Sequence, residues 1–318
     1  MALTKEEIDQ MWHDWFAVDA LRAEKVFTKT FRLLPRDPRC KICSSPFEGM
    51  GGLVMRTVFG REQSALNPQF CSICEDYVKK HQGGAEVEMS MLFADIRGST
   101  ALSEQMTPMD FQKLINRFYV GATNVIAHEH GLVEKLAGDA VAAFWGAGFA
   151  GKDYVARTIH TAQRIQKDMQ AQNIPVGIGV HAGVAYFGAM GSEGGLVDIS
   201  AIGDEVNAAA RIASKAAAGE ILVSQAALEQ AHIEAGELES RVLELKGISE
   251  QVSVRVMRER LSKNIKIFLA RRATWTTFAP TIFFLKLETG SLIDFFQSVQ
   301  KSKIFAPLIL RFKSSTTV

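Results

Sequence analysis

Two aspartates, Asp95 and Asp139, stand at the ends of strand-like sequence, where a divalent cation could bind. Asp95 ends a strand-like stretch that begins at Val87, and Asp139 lies at the tip of a predicted hairpin. Neighbouring carboxylates repel each other unless a cation lies between them, and Mg²⁺ prefers carboxylate and phosphate oxygens. The backbone N–H groups of the loop 96–100 suit phosphates. The pair therefore favours a two-metal nucleotide site, although turn formation alone would explain an isolated aspartate at a hairpin tip.

Alternating strand-like and helix-like stretches between about 87 and 258 must position these acids, and they predict an α/β or α+β domain. Thr107 and Pro108 are typical of a helix N-cap followed by proline at the first helical position. The residues 81–84, with two glycines, are interpreted as a linker. The other predicted elements are strands at 87–93, 132–135 and 140–145, helices at 152–171 and 205–217, a hairpin of strands 176–181 and 184–188, and a closing strand from Ile221.

Asn207 and Arg211 are four residues apart on the predicted helix 205–217. Side chains at this spacing emerge from one face of a helix. Taken alone, the pair favours only an ordinary surface helix.

Three strings in this region resemble the signatures of the class III adenylyl and guanylyl cyclases. They are LFADIRGST at 92–100, KLAGDAVAAF at 135–144 and SAIGDEVNAAAR at 200–211, in the order and spacing of that family. The resemblance implies a ferredoxin-like α+β class III nucleotide cyclase domain over 87–258. A helical and cysteine-knuckle module over 1–84 would precede it.

The resemblance implies a role for most of these residues. Asp95 and Asp139 would hold two Mg²⁺ or Mn²⁺ ions, with the backbone carbonyl of Ile96 as a further ligand. Asn207 would orient the ribose, and Arg211 would stabilise charge on the α-phosphate. The loop residues expected to contact the substrate are Gly98, Ser99 and Thr100. The implied reaction is attack of the ribose 3′-hydroxyl on the α-phosphorus with release of pyrophosphate, which needs positioning and charge neutralisation more than covalent help.

Lys135 and Ser200 occupy the two positions that the family uses to read the base. Lys135 can donate to adenine N1 and the Ser200 hydroxyl can accept from the 6-amino group. Guanine would instead require an acceptor for its N1 proton and a donor for its O6. ATP is therefore favoured, with GTP or a pyrimidine nucleotide as the alternative substrate. Lys246 resembles the lysine that meets the triphosphate.

In the family, one subunit supplies the metal-binding residues and the other supplies the residues that bind base, ribose and α-phosphate. This chain carries both sets, so the resemblance implies a homodimer with two equivalent sites. The expected function is an adenylate cyclase that makes cyclic AMP for intracellular signalling. A dimeric signalling adaptor is the alternative that is not an enzyme, and it would require a broken active site.

The four cysteines form two pairs, Cys40 with Cys43 and Cys71 with Cys74, with 27 residues between the pairs. This spacing is typical of a zinc ribbon or a rubredoxin-like knuckle with tetrahedral thiolate coordination. Structural Zn²⁺ is favoured over an iron centre, redox-responsive thiols or unligated cysteines. His181 and the other scattered histidines are interpreted as structural.

Charge and hydropathy exclude other classes of protein. Thirty-six Lys and Arg against 35 Asp and Glu leave a net charge of +1, which gives no global attraction to nucleic acid. No signal sequence and no membrane-spanning apolar run is recognised, so the expectation is a cytoplasmic protein. The basic, phenylalanine-rich segment 261–318 is expected to pack on the domain or to be poorly ordered, with peripheral membrane contact as the alternative.

Overall fold

The computed structural model describes residues 3–18, 31, 38–192, 196–245 and 251–258. All of these residues belong to one compact unit. Lys246 and the segment 261–318 lie outside the described residues. What the sequence predicts for them stays a prediction.

The described chain is a mixed α+β structure, as predicted. Its helices are α1 (Lys5–Ala17), α2 (Gly49–Phe59), α3 (Ser72–Lys80), α4 (Ser99–Gln105), α5 (Pro108–His128), α6 (Ala147–Ala150), α7 (Tyr154–Ala171), α8 (Asp204–Lys215) and α9 (Gln225–Gln230). Its strands are β1 (Gly83–Ile96), β2 (Leu132–Ala137), β3 (Ala140–Trp145), β4 (Val176–Gly191), β5 (Val197–Ile202), β6 (Ile221–Ser224), β7 (Glu239–Leu243) and β8 (Val252–Met257).

The described strands form one eight-stranded sheet. Its order is β2-β3-β1-β4-β6-β8-β7, and β5 pairs with the C-terminal half of β4. The central strands β1 and β4 are antiparallel, and all of β1 is paired with β4. The β4–β6 pair is parallel, as expected for strands joined through a helical connection.

Helices cover both faces of the sheet. On one face, α5 and α7 pack against the side chains of Leu92 and Ile178 in the main hydrophobic core. On the other face, α8 packs through Ile212 into a smaller core with β6 and β8. Gly179 permits this approach, since a Cβ there would lie 2.4 Å from the backbone nitrogen of Ala213. Strand β6 contributes to both cores, with Ile221 and Val223 in the main one and Leu222 in the smaller one, as the two-residue period of a strand requires.

The predicted hairpin of strands 176–181 and 184–188 is wrong, because β4 runs unbroken from Val176 to Gly191. Gly183 has no positive φ and so makes no turn. It lies in register with Met89 of β1, and a Cβ there would lie 2.8 Å from the side chain of Glu205. The glycine serves close packing against α8, and a sequence pattern does not separate that use from a turn.

The predicted linker at 81–84 is also partly sheet. Gly83 and Gly84 are the first residues of β1 and pair with Ala189 and Gly188. A Cβ at Gly84 would lie 2.4 Å from the carbonyl oxygen of Phe187, so close approach of backbones requires glycine there. The N-terminal module therefore leads directly into the central strand.

Helix α1 belongs to the helical segment expected ahead of the α+β domain. Thr4 caps it, and the side chain of Glu7 completes a capping box. Trp12 and Phe16 are buried, with the ring of Phe16 centred 4.2 Å from that of Phe187 in β4. None of the helices in the described residues combines the length and apolarity that crossing a bilayer requires.

Candidate active site

The pairing of β1 with β3 brings the two aspartates together. Asp95 lies opposite Ala140, so Asp139 directly precedes its partner in the register. The backbone N–H of Ile96 donates to the carbonyl of Asp139 over 3.1 Å. Gly138, at φ 64°, makes the left-handed turn between β2 and β3. The two predicted metal ligands thus belong to one hydrogen-bonded unit.

The surroundings of these carboxylates favour a cation. Partial burial raises the pKa of Asp95; the Arg97 guanidinium opposes this rise, and the charge of Asp139 adds to it. Arg97 Nη2 lies 2.7 Å from Asp95 Oδ1. Carboxylate oxygens are the hard ligands that Mg²⁺ and Mn²⁺ prefer, and a divalent ion would relieve the repulsion between the aspartates. The residues present therefore fit a divalent cation.

Two residues without a role in the sequence reasoning hold this unit in place. Arg97 also donates from Nη1 to the carbonyl of Ser214, near the end of α8, over 3.2 Å. The hydroxyl of Tyr119 in α5 donates to the carbonyl of Gly138 over 2.7 Å. Arg97 follows Asp95 by two residues, and this spacing could have predicted their contact. No pattern in α5 distinguishes Tyr119 from a core residue.

The loop predicted to contact the substrate follows Asp95 directly. Gly98, at φ 70°, precedes α4, and Ser99 and Thr100 are the first residues of that helix. A left-handed residue here reverses the chain between β1 and α4. These three residues are therefore next to Asp95 along the chain.

Asn207 and Arg211 lie on α8, as predicted. Helix α8 starts after Gly203, whose φ of 145° is accessible mainly to glycine. The Asn207 side chain is exposed and that of Arg211 is half-buried. The ion pairs among the described residues include none between Arg211 and either aspartate. Within the described part of one chain, no ion pair therefore joins these two halves of the predicted site.

A buried histidine attaches the start of α8 to the sheet. His181 lies in β4, its Nδ1 is 2.8 Å from Ser224 Oγ, and its Nε2 hydrogen-bonds to Glu205 in the first turn of α8. Ser224 also caps α9 by accepting from the N–H of Ala227. These contacts give His181 a structural role, and they identify Glu205 as a partner that the sequence does not indicate.

Lys135 and Ser200 lie on β2 and β5. The register between β2 and β3 shifts at Glu134, next to Lys135, which lies opposite Ala142. A bulge of this kind re-aims a side chain. Glu134 accepts a hydrogen bond from the Ser200 hydroxyl, with 2.7 Å between Oγ and Oε1. Glu134 therefore joins the two strands that carry the predicted base-reading residues. No pattern in the sequence predicts this contact.

The four cysteines converge, as predicted, in the N-terminal module. Their sulfur atoms all lie within 4.8 Å of one another, and all four residues are buried. Cys43 Sγ and Cys71 Sγ are 3.8 Å apart. Sulfurs about 2.3 Å from a tetrahedral centre are about 3.8 Å from each other. The cluster therefore has the donor set and spacing of a tetrahedral metal site.

Arg61 supplies a positive charge to this cluster. The residue is 2% exposed, and its Nη1 lies 3.3 Å from Cys43 Sγ and 3.4 Å from Cys71 Sγ. Hydrogen bonds from the other three cysteines and the charge of Arg61 lower the pKa of the Cys71 thiol, whereas burial raises the pKa of Cys40. Four thiolates cannot share this buried space without a cation, and a divalent metal ion would stabilise them all as ligands.

Comparison with known sequences assigns the family. The family model described as the adenylate and guanylate cyclase catalytic domain matches residues 82–255, more than half of the chain. An adenylate cyclase of Anabaena cylindrica is 31% identical over 138 residues, which are 39% of this chain and 26% of that protein. An uncharacterised protein of Mycobacterium tuberculosis is 33% identical over 154 residues, 47% of this chain and 28% of that protein. The chain thus spans less than a third of the length of these curated relatives.

A solved structure agrees with the sequence comparison. The crystal structure of the guanylyl cyclase Cya2 matches with a TM-score of 0.51 and 26% identity, and the match covers 55% of this chain and 93% of that one. The aspartate unit and α8 both lie within the residues that the family model matches. The chain therefore belongs to the family of adenylate and guanylate cyclase catalytic domains.

Proposed function

We propose that the chain converts ATP into 3′,5′-cyclic AMP and pyrophosphate. The observation that carries this proposal is the backbone unit that holds Asp95 beside Asp139 within a domain of the cyclase family. Phosphoryl transfer from a nucleoside triphosphate depends on charge neutralisation and positioning, which divalent metal ions provide. A pair of neighbouring carboxylates can hold such ions.

Each part of the site has a role in this proposal. Asp95 and Asp139, with the carbonyl of Ile96, would hold Mg²⁺ or Mn²⁺. The ions would neutralise phosphate charge and favour ionisation of the ribose 3′-hydroxyl. Asn207 orients the ribose, and Arg211 stabilises the charge that develops on the α-phosphate. The triphosphate is expected to lie against the loop of Gly98, Ser99 and Thr100, with Lys246 as a further contact.

The lack of an ion pair between Arg211 and the aspartates, among the described residues, supports a site shared between two copies of the chain. Within one chain, Arg97 is the described ion-pair partner of Asp95. In a homodimer with twofold symmetry, α8 of each copy would face the aspartates of the other, and two equivalent sites would result.

The hydrogen bond between Ser200 and Glu134 supports ATP over GTP. A serine hydroxyl has one proton, and here that proton is donated to the Glu134 carboxylate. The oxygen of Ser200 then has only lone pairs left for a base. It can accept from the 6-amino group of adenine but cannot donate to O6 of guanine. Lys135 would donate to adenine N1, an atom that carries a proton in guanine.

A turnover assay with all four nucleoside triphosphates, in Mg²⁺ and in Mn²⁺, tests this proposal. We expect cyclic AMP as the main product, and loss of turnover in Asp95→Asn and Asp139→Asn with the fold retained. The control is Asp168→Asn, which changes an exposed aspartate of α7 and should leave activity unchanged. Full activity in either site variant would refute the metal assignment. Cyclic GMP or a cyclic pyrimidine nucleotide as the main product would refute the proposed base choice.

We also propose that the cysteine cluster holds one structural Zn²⁺. Four thiolates and Zn²⁺ carry a net charge of −2, which Arg61 partly offsets inside the buried module. Metal analysis of the purified chain should find about one zinc per chain, and Cys40→Ser should lower the stability of the module. Metal-free protein that melts like the metal-bound form would refute the site, and iron in place of zinc would correct its metal.

A further inference from the structure

Lys41 lies inside the cysteine knuckle, between Cys40 and Cys43, yet its side chain reaches the catalytic domain. The side chain is 5% exposed. Its Nζ lies 3.1 Å from the carbonyl oxygen of Glu134, 3.0 Å from Asp198 Oδ1 and 2.8 Å from the carbonyl oxygen of Ile199. An ammonium group has three N–H donors. Each of them has a partner here, so this buried charge is fully satisfied.

The three acceptors belong to the two strands that carry the predicted base-reading residues. Glu134 immediately precedes Lys135 on β2, and Ile199 immediately precedes Ser200 on β5. These strands are not neighbours in the sheet, since β2 pairs with β3 and β5 pairs with β4. Lys41 therefore links β2 to β5 where backbone pairing does not.

A second contact from the same module supports this link. Asn67 lies between the two cysteine pairs and donates from Nδ2 to the carbonyl of Val197, at the start of β5, over 3.0 Å. Asn67 is 5% exposed, so its bond is shielded from water. The module thus holds β5 at two points along the six-residue strand.

The cysteine cluster determines where Lys41 can reach. The backbone N–H of Lys41 donates to the carbonyl of Gln69, and the N–H of Cys71 donates to Cys40 Sγ over 3.3 Å. Lys41 is flanked by two of the thiols, so coordination of one ion by all four would fix its backbone. Metal binding and folding are coupled in sites of this kind.

We infer that Lys41 is a positioning residue through which the metal-bound cysteine knuckle holds Lys135 and Ser200 in register for the nucleotide base. The inference rests on the proposed function, in that it takes these two residues to read the base. It makes nucleotide affinity and base choice depend on metal at the knuckle, a site separate from the catalytic aspartates. A cell that limits this metal, or oxidises the thiols, would then lower cyclase activity through substrate binding.

The first test is Lys41→Met, which keeps the length of the side chain and removes its charge and donors. We expect KM for ATP to rise by about tenfold or more and the preference for ATP over GTP to fall, with kcat changed much less, because misplacing a substrate-binding group by about 1 Å can cost on the order of 100-fold. Lys41→Arg, which restores the charge, should recover part of the loss. Lys80→Met, which changes an exposed lysine at the end of α3, is the matched control and should behave like the unaltered chain.

The second test removes the knuckle metal by chelation, followed by removal of the chelator and addition of Mg²⁺. The unaltered chain should then show at least the rise in KM seen in Lys41→Met, and metal removal should raise KM less in that variant than in the unaltered chain, because both changes break the link through Lys41. Unchanged KM and base preference in Lys41→Met, or fully additive effects of the two changes, would overturn the inference.

Hydrogen exchange provides a readout that does not depend on activity. Amides of β5, residues 197–202, should exchange faster in Lys41→Met and after metal removal, while those of β8 should not change. Unchanged exchange in β5 would overturn the inference even in an active enzyme. A chain that turns over none of the four triphosphates would instead defeat the proposed function, and exchange in β5 would still show whether the knuckle holds this strand.

Discussion

An ion cluster around Glu220 should stabilise the fold, and the structure gives the approximate free energy that it contributes. Glu220 lies just before β6 and is 4% exposed. Arg241 contacts both of its carboxylate oxygens at 2.8 Å, and Nη2 of Arg258 lies 2.6 Å from Oε1. Hydrogen bonds from Arg241 are the main reason why the pKa of Glu220 falls from its usual 4.5 to about 2. The cluster joins β6 to β7 and to the end of β8.

The free energy that this carboxylate contributes follows from the pKa difference. About 2.5 pH units at 1.36 kcal/mol each correspond to about 3 kcal/mol at pH 7. Because the folded pKa is depressed, this stability is fully present above about pH 4.5 and is lost as the pH falls towards 2. By pH 3 about 1.5 kcal/mol of it should remain.

Urea unfolding of the unaltered chain and of Glu220→Gln, measured from pH 7 down to pH 3, checks these values. The glutamine variant should unfold more easily by about 3 kcal/mol at pH 7, and the difference should shrink by roughly half at pH 3. Glu239→Gln is the matched control, since Glu239 contacts the same two arginines from an exposed position and its loss should matter little. A difference that does not depend on pH, or an equal loss in both variants, would refute the reasoning.

Three further predictions concern the site. Asp95→Ala and Arg211→Ala should each be nearly inactive, but co-expression should restore about a quarter of the activity, since half of the randomly formed dimers contain one intact site of two; mixed dimers without activity would contradict the shared site. Tyr119→Phe removes the hydrogen bond to the hairpin that carries Asp139 and should lower kcat about tenfold, with KM for ATP much less affected; an unchanged kcat would show that the turn holds without it. Lys135→Glu combined with Ser200→Cys should raise GTP use relative to ATP use in a competition assay, and an unchanged ratio would mean that other residues read the base.

Local patterns in the sequence predicted the ends of several elements. Thr107 and Pro108 start α5 as expected, because a cap and a fixed proline φ act within one turn of helix. The same reasoning predicted a linker at the glycines 83–84 and a turn at Gly183, and all three are strand residues. Glycine is used both for turns and for close approach of backbones, and only the neighbouring strand or helix decides which use applies.

The sequence by itself indicated the family, the two aspartates, the pair on α8 and the two cysteine pairs, because each is carried by short motifs whose residues lie a few positions apart. Only the tertiary structure decided what surrounds them. Glu134 meets Ser200 because of a bulge in β2, and Lys41 joins β2 to β5 because the knuckle packs against both strands. Such contacts between residues far apart in the chain arise from strand register and domain packing, and no periodicity in the sequence records them.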